Sequence, residues 1–185
     1  EKCSELNEAS HSIGCTLEDP FMTMAFMSLP VIPELKITDK GIFEGNLHLK
    51  KFSESDKRVY QWLVLDPKKE ESFSQVKSLI NGEKVLGIKI HPPGNGYSIL
   101  DYADKIFSFA NELKCFVLMH PDKIECMAEY ANKYPNMKLI IAHLGSVEHV
   151  EAIKNAKHKN IFTDTSGGKS SQNNVIEYAV ENVGS

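Results

Sequence analysis

The sequence predicts an α/β fold with a parallel sheet, of either the (β/α)8-barrel or the doubly wound type. Short apolar runs recur at regular spacing from position 59 onward. A polar or Gly/Pro junction follows each run, and then comes a stretch with apolar residues at three- and four-residue spacing, which is typical of an amphipathic helix. Strands that are almost wholly apolar are typical of parallel sheets, because helices cover both faces of such sheets. This alternation suits a barrel and a doubly wound sheet equally.

The pattern predicts five regular β-α units in residues 57–185. The strands are predicted at 59–65, 85–90, 115–119, 138–142 and 160–163. The helices are predicted at 70–81, 99–113, 122–134, 146–157 and 170–182.

The first 56 residues are predicted to be an irregular N-terminal part of the same single domain, which spans residues 1–185. The stretch from Phe21 to Leu29 is strongly apolar and suits a helix. The stretch from Thr38 to Ser55 is charged and rich in turn-forming residues, so loops and short pieces are predicted there.

Composition excludes several classes of protein. The chain has 21 basic and 25 acidic residues and a net charge of −4, so no broad cationic face is available for nucleic acid. No apolar run is long enough to cross a membrane, and the first residues lack the apolar segment of a signal peptide. The four cysteines have no metal-site spacing and are interpreted as free thiols in a reducing compartment. We therefore expect a cytoplasmic protein with a small-molecule substrate. The apolar stretch from Phe21 to Leu29 could be the interface of a homo-oligomer or part of the core.

The main functional signal is the residue that closes each predicted strand. Three of the seven histidines, His91, His120 and His143, close three consecutive strands, and Asp66 and Asp164 close the strands on either side. Functional groups gather at the C-terminal ends of parallel strands. Imidazole and carboxylate are the usual ligands of zinc and similar divalent ions, and a bound ion lowers the pKa of its water to about 7. The pattern thus predicts a divalent-metal site, and the alternative is that these histidines only hydrogen-bond neighbouring loops.

Other ionisable residues give weaker signals. Strand alternation places Lys89 on the same face as His91, where it could form a salt bridge with a strand-end Asp or serve as a modified metal ligand. His149 and His158 lie on or just after a polar helix and are expected to be solvated.

The strand endings, taken as an ordered set, resemble the amidohydrolase superfamily, and within it the amidohydrolase 2 branch. This branch includes decarboxylases related to aminocarboxymuconate semialdehyde decarboxylase. The resemblance extends from about Val59 to the C-terminus and is carried by four segments, Gly87-Ile88-Lys89-Ile90-His91-Pro92, Leu118-Met119-His120-Pro121, Leu139-Ile140-Ile141-Ala142-His143-Leu144-Gly145 and Phe162-Thr163-Asp164-Thr165-Ser166-Gly167.

The resemblance implies a TIM (β/α)8-type barrel with a divalent metal ion, usually zinc, at its mouth. His120 matches the fifth-strand metal ligand of the family. His143 matches the sixth-strand histidine, which binds a second metal ion or activates the water. The resemblance places Lys89, His91 and Asp164 in supporting positions around the metal and the substrate.

The chain also departs from the family pattern. The family's first strand carries a His-x-His pair, and no His-x-His occurs here. The eighth strand of the family supplies an Asp, and its position is not reached before Ser185. We therefore expect an incomplete view of the barrel, with the first and eighth strands not seen.

These observations favour a metal-dependent hydrolase of the amidohydrolase type, in which metal-activated water attacks a C–N or C–O bond of a small molecule. A metal-dependent non-oxidative decarboxylase, a lyase on the same site, is one alternative, and a non-catalytic or degenerate barrel is the other. Release of CO₂ rather than ammonia or an alcohol would distinguish the decarboxylase, and a folded chain that binds no metal would indicate the degenerate barrel.

Overall fold

The computed structural model describes residues 24–27 and 39–184. The chain divides into two compact units, one that ends at Gly87 and one that starts at Ile88. The strands in the described residues are β1 (Met24–Met27), β2 (Val59–Val64), β3 (Val85–Ile90), β4 (Phe116–Met119), β5 (Lys138–Ile141) and β6 (Ile161–Thr163). The α-helices are α1 (Asp39–Ser55), α2 (Glu70–Leu79), α3 (Ile99–Leu113), α4 (Met127–Lys133), α5 (Val147–Asn155) and α6 (Val175–Val183).

The strand order confirms the predicted α/β class and is the order of a barrel. The first unit has the order β1-β2-β3 and the second unit the order β3-β4-β5-β6, since the boundary between the units falls within β3. β1 pairs with β2 in parallel, and β5 pairs in parallel with both β4 and β6. A doubly wound sheet reverses its order at a switch point, whereas neither unit shows a reversal. The five predicted strands are all present, within one or two residues of the predicted bounds.

The region before position 57 differs from the prediction in two places. Residues 24–27, inside the stretch interpreted as a helix, form β1, and Met24 pairs with Val59. Periodicity cannot separate a strand from a helix in so short an apolar run. The remainder of that stretch lies outside the described residues.

The second difference is α1, which replaces the loops and short pieces predicted for Thr38 to Ser55. Its glycines and Asn46 are poor helix formers, but tertiary contacts outweigh this local preference. Asn46 is fully buried, donates from Nδ2 to the Val64 carbonyl at 3.0 Å and accepts from the Val64 amide at 2.9 Å. Its own carbonyl accepts from Gln61 Nε2 at 2.6 Å. These bonds attach α1 to β2 within the first unit.

The second unit has its core between the strands and the helices that follow them. The buried face of α3 comprises Ile99, Ala103, Ile106, Phe107 and Ala110, which matches the predicted helical spacing. Leu144, Val150, Val175 and Ala179 form a further buried cluster that joins the end of β5 to α5 and α6. The helix predicted at 170–182 begins only at Val175, because Asn173 and Asn174 have left-handed backbone angles, with φ of 56° and 53°.

None of the helices in residues 39–184 is both long enough and apolar enough to cross a membrane.

Candidate metal and catalytic site

The site lies at the C-terminal ends of β3, β4 and β5, within the second unit. The strand ladder continues one residue beyond the strands, because the His120 amide donates to the Ile90 carbonyl at 3.0 Å and the Ala142 amide donates to the Met119 carbonyl at 2.9 Å. His91, His120 and His143 follow these three strand ends directly or after one residue. The backbone therefore delivers the three imidazoles to one edge of the sheet.

The three imidazole rings are in contact. His91 stacks on His120, with ring centroids 3.9 Å apart and planes 10° apart. The His143 ring packs edge-on against the His120 ring, with the centroids 5.1 Å apart and the planes 71° apart. The structure thus brings together the three strand-end histidines that the sequence singled out.

The hydrogen bond to His91 determines which of its nitrogens is available. The Gly94 amide donates to His91 Nδ1 at 2.9 Å, so Nδ1 carries the lone pair and the proton of the neutral ring is on Nε2. A Cβ on residue 94 would lie 2.7 Å from the same nitrogen, so this close approach requires glycine. His91 in this state has no free ring nitrogen for a metal ion.

His143 has the opposite arrangement. Its backbone is left-handed, with φ of 64°, and its amide donates to Asp164 Oδ1 at 3.0 Å. Its Nδ1 lies 3.0 Å from the Ser166 carbonyl oxygen, which can only accept a hydrogen bond. Nδ1 therefore carries the proton, and Nε2 keeps its lone pair.

His120 contacts both of these rings and is held in the neutral form. Burial, followed by the neighbouring His91, His143 and Lys89, lowers the pKa of His120 from 6.5 to about 4. Burial and the Lys89 charge also lower the pKa of His91. Neutral imidazoles are the form that binds divalent ions.

Lys89 belongs to β3, two residues before His91, and only 2% of its surface is exposed. Burial lowers its pKa from 10.5 to about 8, although the negative charge of Asp164 acts in the opposite direction. A buried ammonium with a lowered pKa close to a cluster of imidazoles is a feature of functional sites.

Asp66 and His149 play local roles. Asp66, in the first unit, accepts from the Lys68 amide at 3.0 Å and so closes a turn. His149 was expected to be solvated, but it is 3% exposed, since its ring lies 3.1 Å from Ser146 Oγ and 3.4 Å from the Ala142 carbonyl oxygen. His158 is exposed, as expected.

Sequence reasoning missed Ser166, Gly94 and Gly167 as parts of the site. The signal for Ser166 was its position two residues after the strand-end Asp164, a spacing that allows a side chain to bond the same carboxylate. Glycine is required at positions 94 and 167 because the backbone there lies close to a histidine ring. A Cβ on Gly167, where φ is 95°, would lie 3.1 Å from His143 Nδ1.

The histidine nitrogens at this site meet only some of the requirements of a divalent metal ion. Nε2 of His143 and the neutral ring of His120 are two imidazole donors of the type that zinc prefers. Within residues 39–184, no group of three His, Cys, Asp or Glu side chains is placed to hold a metal ion. In the described part of the chain, His120 and His143 are thus two adjacent imidazole donors without a third side chain placed to complete a metal site.

Comparison with known proteins gives two family matches. A family model described as amidohydrolase matches residues 38–182, and a model described as adenine deaminase C-terminal domain matches residues 1–48. The chain is 64% identical over 39 residues to an adenine deaminase of Methanosarcina acetivorans, a match that covers 21% of this chain and 7% of the relative. It is 54% identical over 44 residues to an adenine deaminase of Methanothrix thermoacetophila, covering 24% of this chain and 8% of the relative. The chain thus matches less than a tenth of the length of these curated relatives.

Among solved structures, the chain is similar to a dihydroorotase from Campylobacter jejuni. The sequences are 14% identical, the alignment covers 69% of this chain and 40% of that one, and the TM-score is 0.42.

Proposed function

Because this chain belongs to the amidohydrolase family, a family of hydrolytic enzymes, we propose that it takes part in the metal-dependent hydrolysis of a small molecule. His120 and His143 are the residues that serve the metal ion and the attacking water. The bond broken is a C–N or C–O bond. Zinc is the proposed ion, since both donors are imidazoles.

The observation that carries the proposal is the state of the two rings. His120 is held neutral by burial and by its neighbours, and His143 has its proton fixed on Nδ1 by Ser166. Both rings therefore offer a nitrogen lone pair in adjacent positions, with their centroids 5.1 Å apart. Two such lone pairs can bind a cation, and one of them can accept a proton from water.

When bound, a divalent ion would lower the pKa of its water and polarise the substrate carbonyl. The residues of this chain do the rest. His143 uses its Nε2 lone pair either to bind the ion or to exchange a proton with the water, and His91 supports His120 by stacking on it. His91 donates from Nε2 to a substrate oxygen, because its Nδ1 is occupied by Gly94. Lys89 and Asp164 supply a positive and a negative charge near the rings.

Zinc binding by the 185-residue chain tests the proposal. After dialysis against zinc and then against buffer, the wild-type chain is expected to retain about one ion per chain. His120→Ala should lower zinc affinity by at least about tenfold, because it removes a ligand. His158→Ala is the matched control, since His158 is exposed and should leave affinity unchanged. A correctly folded wild-type chain with no zinc, or equal loss in both variants, would refute the proposal.

The class of reaction is tested on the zinc-loaded chain with three sets of small substrates. Ammonia or amine release from amides and amidines, or alcohol release from esters, would support hydrolysis. Release of CO₂ from aromatic or unsaturated carboxylates, without hydrolysis, would show a decarboxylase instead.

A further inference from the structure

The loop after β6 contains a clamp that holds His143, formed by Asp164 and Ser166. One carboxylate oxygen, Asp164 Oδ1, accepts from the His143 amide at 3.0 Å and from the Ser166 amide at 2.9 Å. It also accepts from the Ser166 hydroxyl. The Asp164 carbonyl accepts from the Leu144 amide at 2.8 Å. The segment that carries His143 is thus attached to β6 on both sides of the histidine.

These bonds explain how a non-glycine residue keeps a left-handed backbone at this position. A φ of 64° is disfavoured for histidine and persists only where surrounding contacts fix it. The amides of His143 and Leu144 are both engaged by Asp164, so the backbone turn at residue 143 is fixed from the neighbouring strand.

The same clamp determines the position of the ring proton. Ser166 has a single hydroxyl hydrogen and gives it to Asp164, so its Oγ presents only lone pairs to His143 Nδ1, 2.9 Å away. The Ser166 carbonyl oxygen, 3.0 Å from the same nitrogen, is also an acceptor only. Two acceptors on one nitrogen require that nitrogen to carry the proton. Free histidine in water prefers the other tautomer, with the proton on Nε2, so this environment reverses the intrinsic preference.

We propose that Asp164 and Ser166 are positioning residues that lock His143 in the Nδ1–H tautomer and thereby present its Nε2 lone pair to the site. The importance of that lone pair rests on the proposed function, but the tautomer is a property of the chain alone. Asp164 orients the Ser166 hydroxyl, and Ser166 orients the ring. Neither residue needs to touch the substrate.

Imidazole ¹⁵N chemical shifts of the 185-residue chain test this assignment directly, because they separate a protonated ring nitrogen from an unprotonated one. Spectra are recorded at about pH 8.5, well above the ordinary imidazole pKa, before and after treatment with a chelator. The His143 signals are identified by their loss in His143→Gln. The wild type is expected to show Nδ1 protonated and Nε2 unprotonated in both states.

The variants separate a clamp from a merely structural loop. Ser166→Ala removes the Oγ acceptor and keeps the carbonyl acceptor, so both His143 nitrogen signals should move part of the way toward the Nε2–H tautomer. Ser166→Thr, which keeps the hydroxyl, should restore the wild-type shifts. Ser171→Ala is the matched control, because Ser171 is an exposed serine of the same loop that bonds the Gly168 carbonyl.

Wild-type spectra with the proton of His143 on Nε2 would overturn the proposal, as would His143 shifts in Ser166→Ala that are identical to those of the wild type. Failure of the chain to bind zinc would instead refute the proposed function, so the two failures are distinguishable.

Discussion

Replacement of Lys89 by methionine is expected to stabilise the protein at neutral pH. Lys89 is 2% exposed, and burial lowers its pKa from 10.5 in an unfolded chain to about 8. Folding at pH 7 must therefore place a proton-bearing amine where the charge is disfavoured. Each unit of pKa difference corresponds to about 1.4 kcal/mol, so the cost at pH 7 is about 3 kcal/mol. Methionine has a similar length, fills the same space and carries no charge.

The sign of the pH dependence follows from proton binding. Between about pH 8 and pH 10.5 the unfolded chain binds more protons than the folded chain, so wild-type stability rises with pH. The cost is fully present below about pH 8 and disappears above 10.5. The advantage of Lys89→Met should accordingly be about 3 kcal/mol at pH 7 and should shrink toward zero near pH 10.5.

Urea unfolding, followed by circular dichroism and by hydrogen exchange of β4 and β5 amides, measures this difference in the free energy of unfolding. Lys157→Met is the control, because Lys157 is an exposed lysine of the same unit. If Lys89→Met were no more stable than the wild type at pH 7, or if its gain stayed constant up to pH 10, the argument from burial would be wrong. Retention of a lysine at such a cost is expected where the charge serves a function.

Two further substitutions test the surroundings of the site by the same unfolding assay. Gly167→Ala should destabilise the chain by about 1–3 kcal/mol, since φ is 95° and the new methyl group would lie 3.1 Å from His143 Nδ1. Gly168→Ala, where no atom lies within 4 Å of the added carbon, should change stability little. An equal loss in both glycine variants would show that the backbone angle and the close approach at Gly167 are not the cause. His149→Ala should cost about 2 kcal/mol or more, because it leaves a cavity and removes the bond to Ser146 Oγ. His158→Ala should stay within about 0.5 kcal/mol, and a similar loss in both histidine variants would show that burial of His149 is not the cause.

The regular part of the fold was predictable because its signal is local. Apolar runs bounded by turn residues predicted β2 to β6, and apolar spacing predicted α3 with its observed bounds, Ile99–Leu113. Local sequence patterns gave a wrong prediction for α1, whose structure is determined by contacts with residues distant in the sequence. Asn46 and the glycines of α1 favour a turn, but the bonds between Asn46 and Val64 make the segment helical.

The candidate site was predictable in its residues but not in its chemistry. The C-terminal ends of neighbouring strands must meet at one edge of a sheet, so the contact of His91, His120 and His143 follows from their positions after β3, β4 and β5. The sequence could not show which ring nitrogen is free. That depends on the Gly94 amide and the Ser166 carbonyl, which lie in loops and contact Nδ1 of His91 and Nδ1 of His143. The burial of His149 was missed because a polar helix predicts an exposed ring. In the structure this ring is buried and hydrogen-bonded to Ser146 Oγ.

Crystals of the chain soaked with zinc, with diffraction data measured on both sides of the zinc absorption edge, would test whether a metal ion binds at His120 and His143. We expect one strong anomalous peak within about 2.0–2.1 Å of a nitrogen of His120, next to Nε2 of His143. A well-ordered site without a peak, or zinc bound only at exposed histidines such as His158, would contradict it.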